Sequence, residues 1–395
     1  MIYLFIVIVL LLCISTYDVY GNMRYKYTSF YLIVFLFIFL NIFSYKIGGD
    51  MGVYTYRWNN VYRSIFAINY LDEIDLRSQE RPGWILLTSF LKGICDNFII
   101  LKIFLAFWVN LIVAHFIKSN TKFIFSALLI YFIVSYFNYN FEILRESIAV
   151  SFFLLSFPFY VNRKWIKYFI CFLFAFMFHE SSLVMLIMPF FSLFERINNR
   201  ALLLLMILLY VLFLSFDIIS FLLNILPNDF AFYAKVVGYM NSEVYGENVS
   251  VNMYYFFVAS FVMPFLSFLV LMNNKEKKCI SVFILISIVF SLFTSKIVIF
   301  YRFNNYIILP LIVAYIEVIY LVSKKIIICK SKKIFFIPIL LLYLSYKVFN
   351  IYLKEEKIAN GKFYNRYYPY NSIFEEKISK DRSSFLDQIA RHQGV

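Results

Sequence analysis

The sequence predicts an all-α polytopic membrane protein, with about 12 transmembrane helices and one interfacial outer helix. Three observations predict it. First, of 395 residues 63% are hydrophobic and 15% charged, against roughly 45–50% and about 25% in soluble domains. Second, the apolar residues fall into runs close to the length of a bilayer core. Third, all 10 glycines lie outside those runs. That placement suits a rigid helical scaffold better than a transporter, whose helices rely on Gly or Pro breaks and close small-residue packing. The mean hydropathy is +0.78, and 50 Phe, 33 Tyr and 4 Trp supply ring surface suited to lipid and amphiphiles. Soluble enzymes, disulfide scaffolds, disordered chains and secreted all-β folds are excluded by these numbers alone.

The expected spans are 2–17, 28–45, 98–117, 122–139, 143–161, 165–179, 182–194, 201–223, 252–272, 279–298, 304–323 and 333–352. The first lacks a basic leader and an Ala-x-Ala site, so it reads as a retained helix rather than a signal peptide. Runs 165–179 and 182–194 are too short to cross upright, and read as two tilted spans or one broken hairpin. Residues 84–95 (WILLTSFLKGIC) are expected to lie along the surface as an interfacial helix anchored by Trp84 and Lys92. Residues 1–352 thus read as a single polytopic domain with outer loops 46–97 and 226–251. Residues 353–395 form a polar tail.

Charge sets the expected orientation. One set of alternate loops carries seventeen Lys and Arg against Asp18, Glu195 and Glu276. In the other set, residues 46–82 hold five basic and five acidic side chains, and 226–251 hold Lys235 against three acids. The first set reads as cytoplasmic, with both termini and the tail on the opposite side. The net charge of +14 is spread in short clusters between apolar runs, unlike the single basic face of a nucleic-acid binder. No nucleic-acid partner is expected. The five cysteines are scattered without a CxxC, which is neither a zinc site nor a disulfide frame.

Charges at the edge of a span are functional suspects. Glu142, Arg145 and Glu146 open the fifth span, with Glu142 and Arg145 on one face at i, i+3. They read either as a helix-end ion pair or as an anion site, since the guanidinium fork suits phosphate. His179 and Glu180, followed by Ser181 and Ser182, sit at a break between two short helices and could line a cavity. Arg302 precedes Asn304-Asn305 at the start of another span. The run Asp72-Glu73-Ile74-Asp75 could hold a divalent ion, but reads better as a solvated helix face. Asp217, Glu317 and His115 read as structural. No Gly-rich phosphate loop, GxSxG or HExxH is present.

Several strings, in order from about residue 45 to 310, resemble the EpsG/Wzy group of bacterial polysaccharide polymerases. They are Gly48-Gly49-Asp50 with Tyr54, Glu80-Arg81-Pro82-Gly83-Trp84, Arg145-Glu146-Ser147-Ile148-Ala149, Phe178-His179-Glu180-Ser181-Ser182, and Arg302 with Asn305-Tyr306. Tyr367-Tyr368-Pro369-Tyr370 adds a weaker match in the tail. The resemblance implies a bacterial inner-membrane glycosyltransferase whose site faces the periplasm. It would join undecaprenyl-diphosphate-linked repeat units into O-antigen or capsule, alongside membrane lipid, a flippase and a chain-length regulator. The residues fit such chemistry without cofactor or metal. Arg145 and Arg302, with Arg63 as a third, would bind the diphosphate. His179 would be the base for the attacking hydroxyl, with Asp50 or Glu80 in reserve. A lipid-linked oligosaccharide flippase and a ligase using the same donor are the alternatives.

Overall fold

The apolar runs fold as helices because backbone in hydrocarbon must satisfy its own polar groups. The structure, a computed structural model, describes residues 2–67, 69–78, 80–215, 257–271, 278–296 and 300–324, isolated positions elsewhere, and in the tail chiefly residues 366–375. Among the described residues, four helical stretches are long and apolar enough to cross a membrane: Ile2–Val19, Ile99–Asn120, Leu144–Val161 and Tyr301–Leu321. Six shorter apolar helices accompany them, at Lys26–Ile42, Ile124–Tyr136, Trp165–Phe176, Arg200–Phe213, Ser260–Leu271 and Val282–Thr294. The protein is an all-α membrane protein. The expected run 333–352 and the loop 226–251 lie almost wholly outside the described residues.

The chain forms two compact units, residues 1–183 with 344–395, and residues 184–343. The first contains α1 (Ile2–Cys13), α2 (Lys26–Ile42), α3 (Met51–Asn60), α4 (Tyr70–Leu76), α5 (Pro82–Ile94), α6 (Ile99–Asn120), α7 (Ile124–Tyr131), α8 (Leu144–Val161) and α9 (Trp165–Phe176). Here α6 packs against α2 and α8, and α9 packs against α8. The second unit contains α10 (Val184–Phe191), α11 (Asn199–Ser215), α12 (Met263–Leu271), α13 (Lys278–Lys296) and α14 (Tyr301–Lys324), with α13 packed against α11, α12 and α14. The expected run 182–194 is a 3-10 turn (Glu180–Leu183), then α10, then a second 3-10 turn (Ser192–Arg196).

Wide π-helical turns at Phe132–Tyr136 and Asn138–Glu142 interrupt the segment between α7 and α8. Such turns recur at functional sites. Here they put Asn140 into a buried polar knot. The Asn140 Oδ1 accepts from Asn41 Nδ2 and Asn110 Nδ2, each at 2.8 Å. Its Nδ2 donates to the Tyr136 carbonyl at 2.8 Å. Polar side chains inside a bundle must find partners in this way, because the surrounding hydrocarbon offers none.

The C-terminal end of α2 is capped from two sides. Lys102 Nζ donates to the Ile42 carbonyl at 2.9 Å and also to that of Ser44. A cation is favoured there by the helix dipole. Tail residue Tyr370 donates its hydroxyl to the Leu40 carbonyl at 3.1 Å. The tail also joins the chain just beyond α2 through Tyr45 N to Asn371 O at 2.8 Å and Ile373 N to Phe43 O at 2.9 Å. Carbonyls that a helix end leaves without partners are thereby satisfied, and the tail is fixed beside the 46–97 segment.

Candidate functional site

The 46–97 segment begins with a glycine turn that the packing requires. Gly48 has φ +90°, and a Cβ there would sit 2.7 Å from the Phe141 carbonyl oxygen. The following amide, Gly49 N–H, donates to Glu142 Oε1 at 2.8 Å. The same oxygen accepts from the tail hydroxyl of Tyr367 at 2.9 Å and lies 3.4 Å from Arg366 Nη1. Glu142 thus ties the glycine turn, the start of α8 and the tail together, rather than pairing with Arg145 as its i, i+3 spacing had allowed.

From that turn α3 projects Asp50, Tyr54 and Arg57 along one face, at the i, i+4 and i+7 spacing of two helical turns. Tyr54 is buried, with its ring 5.7 Å from that of Trp84 in an edge-on arrangement. Its phenol is the polar neighbour of Arg145, within hydrogen-bonding reach. Burial pushes the Tyr54 phenol above its ordinary range; Arg145 pulls it down, while Asp50 and Glu80 push it up. Arg145 is half-buried in the first turn of α8. Among the described residues no carboxylate forms an ion pair with it, and Glu80 acts on it only through space. Asp50, half-exposed, opens α3 without capping it through its side chain.

Glu80 is differently placed. It is buried, and its Oε1 accepts from Arg57 Nη1 at 3.0 Å and from the Tyr62 hydroxyl at 2.9 Å. Its Oε2 accepts from Arg77 Nε at 2.8 Å and from Arg77 Nη2. Arg77 also reaches Glu73 at 3.4 Å and Thr88 at 3.0 Å, and lies over the Tyr62 ring at 3.9 Å. Trp84 Nε1 donates to the Tyr62 hydroxyl at 3.1 Å. Burial, helped by Glu80 and opposed by Arg77, pushes the Tyr62 phenol well above its ordinary value. Glu73, which the sequence offered as part of a metal cluster, is therefore engaged by Arg77. Trp84 is not an interfacial anchor but the fully buried centre of this knot. The surface position of its helix shows instead in the exposed Leu86, Phe90 and Ile94, spaced at i, i+4 and i+8. At 13 residues, or about 20 Å, α5 is too short to cross a bilayer.

Pro82 and Gly83 dock the start of α5 onto the end of α9. Pro is pre-organised for a first helical turn. Gly83 N–H donates to the Met177 carbonyl at 2.8 Å, and a Cβ at Gly83 would lie 2.8 Å from that oxygen. Beside this contact Arg81 pairs with Glu180 at 2.9 Å and lies over the Phe176 ring at 4.6 Å. Two motifs nearly a hundred residues apart, Glu80–Trp84 and Phe178–Ser182, therefore meet. His179 caps the 3-10 turn that follows: its Nδ1 accepts from the Ser181 amide at 3.1 Å and lies 2.7 Å from Ser181 Oγ. Ser182 Oγ donates to the His179 carbonyl at 2.8 Å.

A model of the EpsG family matches residues 26–372. The chain belongs to the EpsG family. Neither a curated protein sequence nor a solved structure matches it. The EpsG match takes in each string on which the resemblance rested, the tail tyrosines up to Tyr370 included. Of the site residues expected from sequence, the structure gathers Asp50, Glu80, Arg145 and His179 into the first unit, around α3 and the start of α5. Arg63 is exposed in the stretch following α3. Arg302 opens α14 in the second unit. Arg57 and Arg77 went unnoticed in the sequence, and Arg81 stood out only as part of the Glu80–Trp84 string. Their signal was the balance of five basic and five acidic residues in 46–82, which marks internal pairing rather than a solvated loop.

Proposed function

We propose that this EpsG-family protein is a bacterial inner-membrane glycosyltransferase. It polymerises undecaprenyl-diphosphate-linked oligosaccharide repeat units, as O-antigen or capsule, with its site facing the periplasm. One observation carries the reading: Arg145, half-buried at the start of a membrane-length helix, has a neutral phenol beside it and keeps its positive charge for a ligand. A diphosphate is the anion that suits a planar guanidinium fork at the level of a lipid headgroup.

In the proposed step an acceptor hydroxyl oxygen attacks the anomeric carbon of the chain held on its lipid diphosphate. The carbon–oxygen bond to the diphosphate breaks, and undecaprenyl diphosphate leaves with the electron pair. The hydroxyl proton passes to a general base, with His179 the first candidate and Asp50 or Glu80 in reserve. Arg145, with Arg63 as a further candidate in the same unit, stabilises the charge growing on the leaving group. No metal or cofactor enters the step. A flippase and a chain-length regulator are the expected partners in the membrane.

Reconstitution of the purified protein with lipid-linked repeat units tests this directly. Chain growth on the lipid is the expected result. Transbilayer movement without growth, or transfer to a different acceptor, overturns the reading in favour of a flippase or a ligase. Orientation has its own test. A cysteine at Asp72, exposed on α4, should react with impermeant thiol reagents in intact cells, and one at Asn162, exposed after α8, should not. The reverse pattern places the site on the cytoplasmic side.

A further inference from the structure

We infer that the C-terminal tail is a working part of the site, with Glu142 and Tyr367 as positioning residues that hold α3 where the Tyr54 phenol meets Arg145. This rests on the polymerase reading for what Arg145 receives, but not for the seating of the tail. Glu142 Oε1 accepts from the Gly49 amide at 2.8 Å and from the Tyr367 hydroxyl at 2.9 Å, and pairs with Arg366 Nη1 at 3.4 Å. Gly49 stands two positions before α3, and Glu142 three before Arg145. One carboxylate oxygen therefore joins the start of the helix that carries Tyr54 to the start of the helix that carries Arg145. Hydrogen bonds to an ionised acceptor are roughly twice as strong as neutral ones, which suits this oxygen to fixing one helix against the other.

The tail stiffens this junction from several directions. The Gly48 amide donates to the Arg366 carbonyl at 3.3 Å, and the Tyr3 hydroxyl to the Tyr367 carbonyl at 2.8 Å. The Tyr367 ring lies 5.1 Å from that of Phe137. Ser44 and Ser372 are antiparallel neighbours, flanked by the Tyr45–Asn371 and Phe43–Ile373 hydrogen bonds. Farther along, Arg382 Nη2 donates to the Pro369 carbonyl at 2.8 Å. Leu386 is buried beside α3, where a Cβ at Gly52 would lie 3.6 Å from its Cδ2. The tail thus meets the chain just before α3 and again two positions before Tyr54. Contacts made by backbone and side chains along its length describe a fixed part of the site rather than a lid. A group misplaced by about 1 Å can cost a reaction about 100-fold, so what seats Tyr54 beside Arg145 should be felt in turnover.

Two experiments on the full-length protein test this. The first locks the tail. Antiparallel neighbours have Cα atoms about 4.5–5.5 Å apart, within the span of a disulfide. S44C/S372C should therefore close a bridge when the purified protein is oxidised, identified by peptide mass spectrometry. Reconstituted with lipid-linked repeat units, its oxidised and reduced forms should elongate chains at the same rate. Failure of the bridge to form removes the tail from this seat. A bridge that stops chain growth until it is reduced makes the tail a gate that must leave. The second experiment loosens single bonds. Y367F keeps the ring beside Phe137 and removes the hydroxyl, so the unfolding temperature should hold while kcat falls about 10-fold with KM unchanged. E142A strands the Gly49 amide and should lose about 100-fold; E142Q restores an acceptor oxygen and should recover most of that. Because the effect runs through Arg145, Y367F should cost nothing more in an R145A background. Wild-type kcat in Y367F, no recovery in E142Q, or a Y367F loss that persists beside R145A overturns the positioning role. A wild type that never elongates chains refutes the polymerase reading instead, while the bridge still decides where the tail sits.

Discussion

Arg77 and Arg145 are the same residue in the same unit, and their surroundings give them opposite roles. Arg77 is buried and spends its donors on Glu73, Glu80 and Thr88, with the Tyr62 ring beneath it. Arg145 is half-buried beside the Tyr54 phenol, with Glu80 acting only at a distance. A buried guanidinium whose charge is cancelled by carboxylates holds structure together. One whose immediate neighbour is neutral and which water can still reach is set to receive an anion. The contrast shows that position at the end of a span does not make an arginine functional; the company it keeps decides.

The largest effects belong to the structural member of the pair. Removing one partner from a buried ion pair leaves an uncompensated charge and costs about 3–5 kcal/mol. E80Q and R77M should therefore lower the unfolding temperature of the protein in nanodiscs sharply and reduce its level in membranes. The double variant should recover part of that loss, because neither charge is then left alone. If E80Q is as stable as wild type, Glu80 is not the keystone of the knot, and its role as a base reopens.

Arg145 should behave in the opposite way. R145A is expected to leave the unfolding temperature unchanged and to reduce chain growth by about 100- to 1,000-fold, the loss of about 3–4 kcal/mol in transition-state stabilisation. R145K should recover only part, since the ammonium keeps the charge and loses the fork. Normal polymer from well-expressed R145A would reduce Arg145 to a helix-end anchor and collapse the comparison. R302A carries the same test into the second unit.

Much of the fold was legible because hydropathy is a property of runs. The expected spans 98–117, 143–161 and 165–179 appear as Ile99–Asn120, Leu144–Val161 and Trp165–Phe176. What escaped depends on pairing across distance. Glu80 takes Arg57 from 23 positions away, and Trp84 looks like a surface anchor until Tyr62 is found against its indole nitrogen. Arg145 was visible as a charge at the end of a span, but its neutral neighbour lies 91 positions earlier in the chain. The capping contact of His179 was out of reach for another reason, since it turns on the Ser181 backbone amide and not on any side chain that a motif displays.

A smaller effect tests the floor on which both arginines rest. Gly83 meets the Met177 carbonyl so closely that a Cβ would lie 2.8 Å from its oxygen, and that neighbour is backbone, which cannot swing aside. G83A should cost about 1–3 kcal/mol, as overpacking typically does. Because the contact joins the start of α5 to the turn bearing His179, activity should fall together with stability. Loss of both in G83A, against loss of activity alone in R145A, separates the scaffold from the site.

The smallest expected effect lies in the hydroxyl beside Arg145. Y54F removes one hydrogen-bonding group and keeps the ring against Trp84, so a change of about 0.5–1.5 kcal/mol is expected. If the phenol orients the guanidinium, the loss should appear in chain growth, and R145A should abolish any further effect of Y54F. Alkaline stability offers a second readout. Burial raises the Tyr54 phenol above its ordinary value of 10.0 in the folded protein, so above pH 10 the unfolded chain releases this proton while the folded chain retains it. The folded state then binds more protons, and stability must fall as the pH rises. Y54F should remove its share of that alkaline loss and leave the share of Tyr62, whose phenol is raised in the same way. An unchanged alkaline slope in Y54F would mean that the Tyr54 hydroxyl is solvated rather than enclosed with Arg145, and the arginine would then owe its open charge to water rather than to a neutral neighbour.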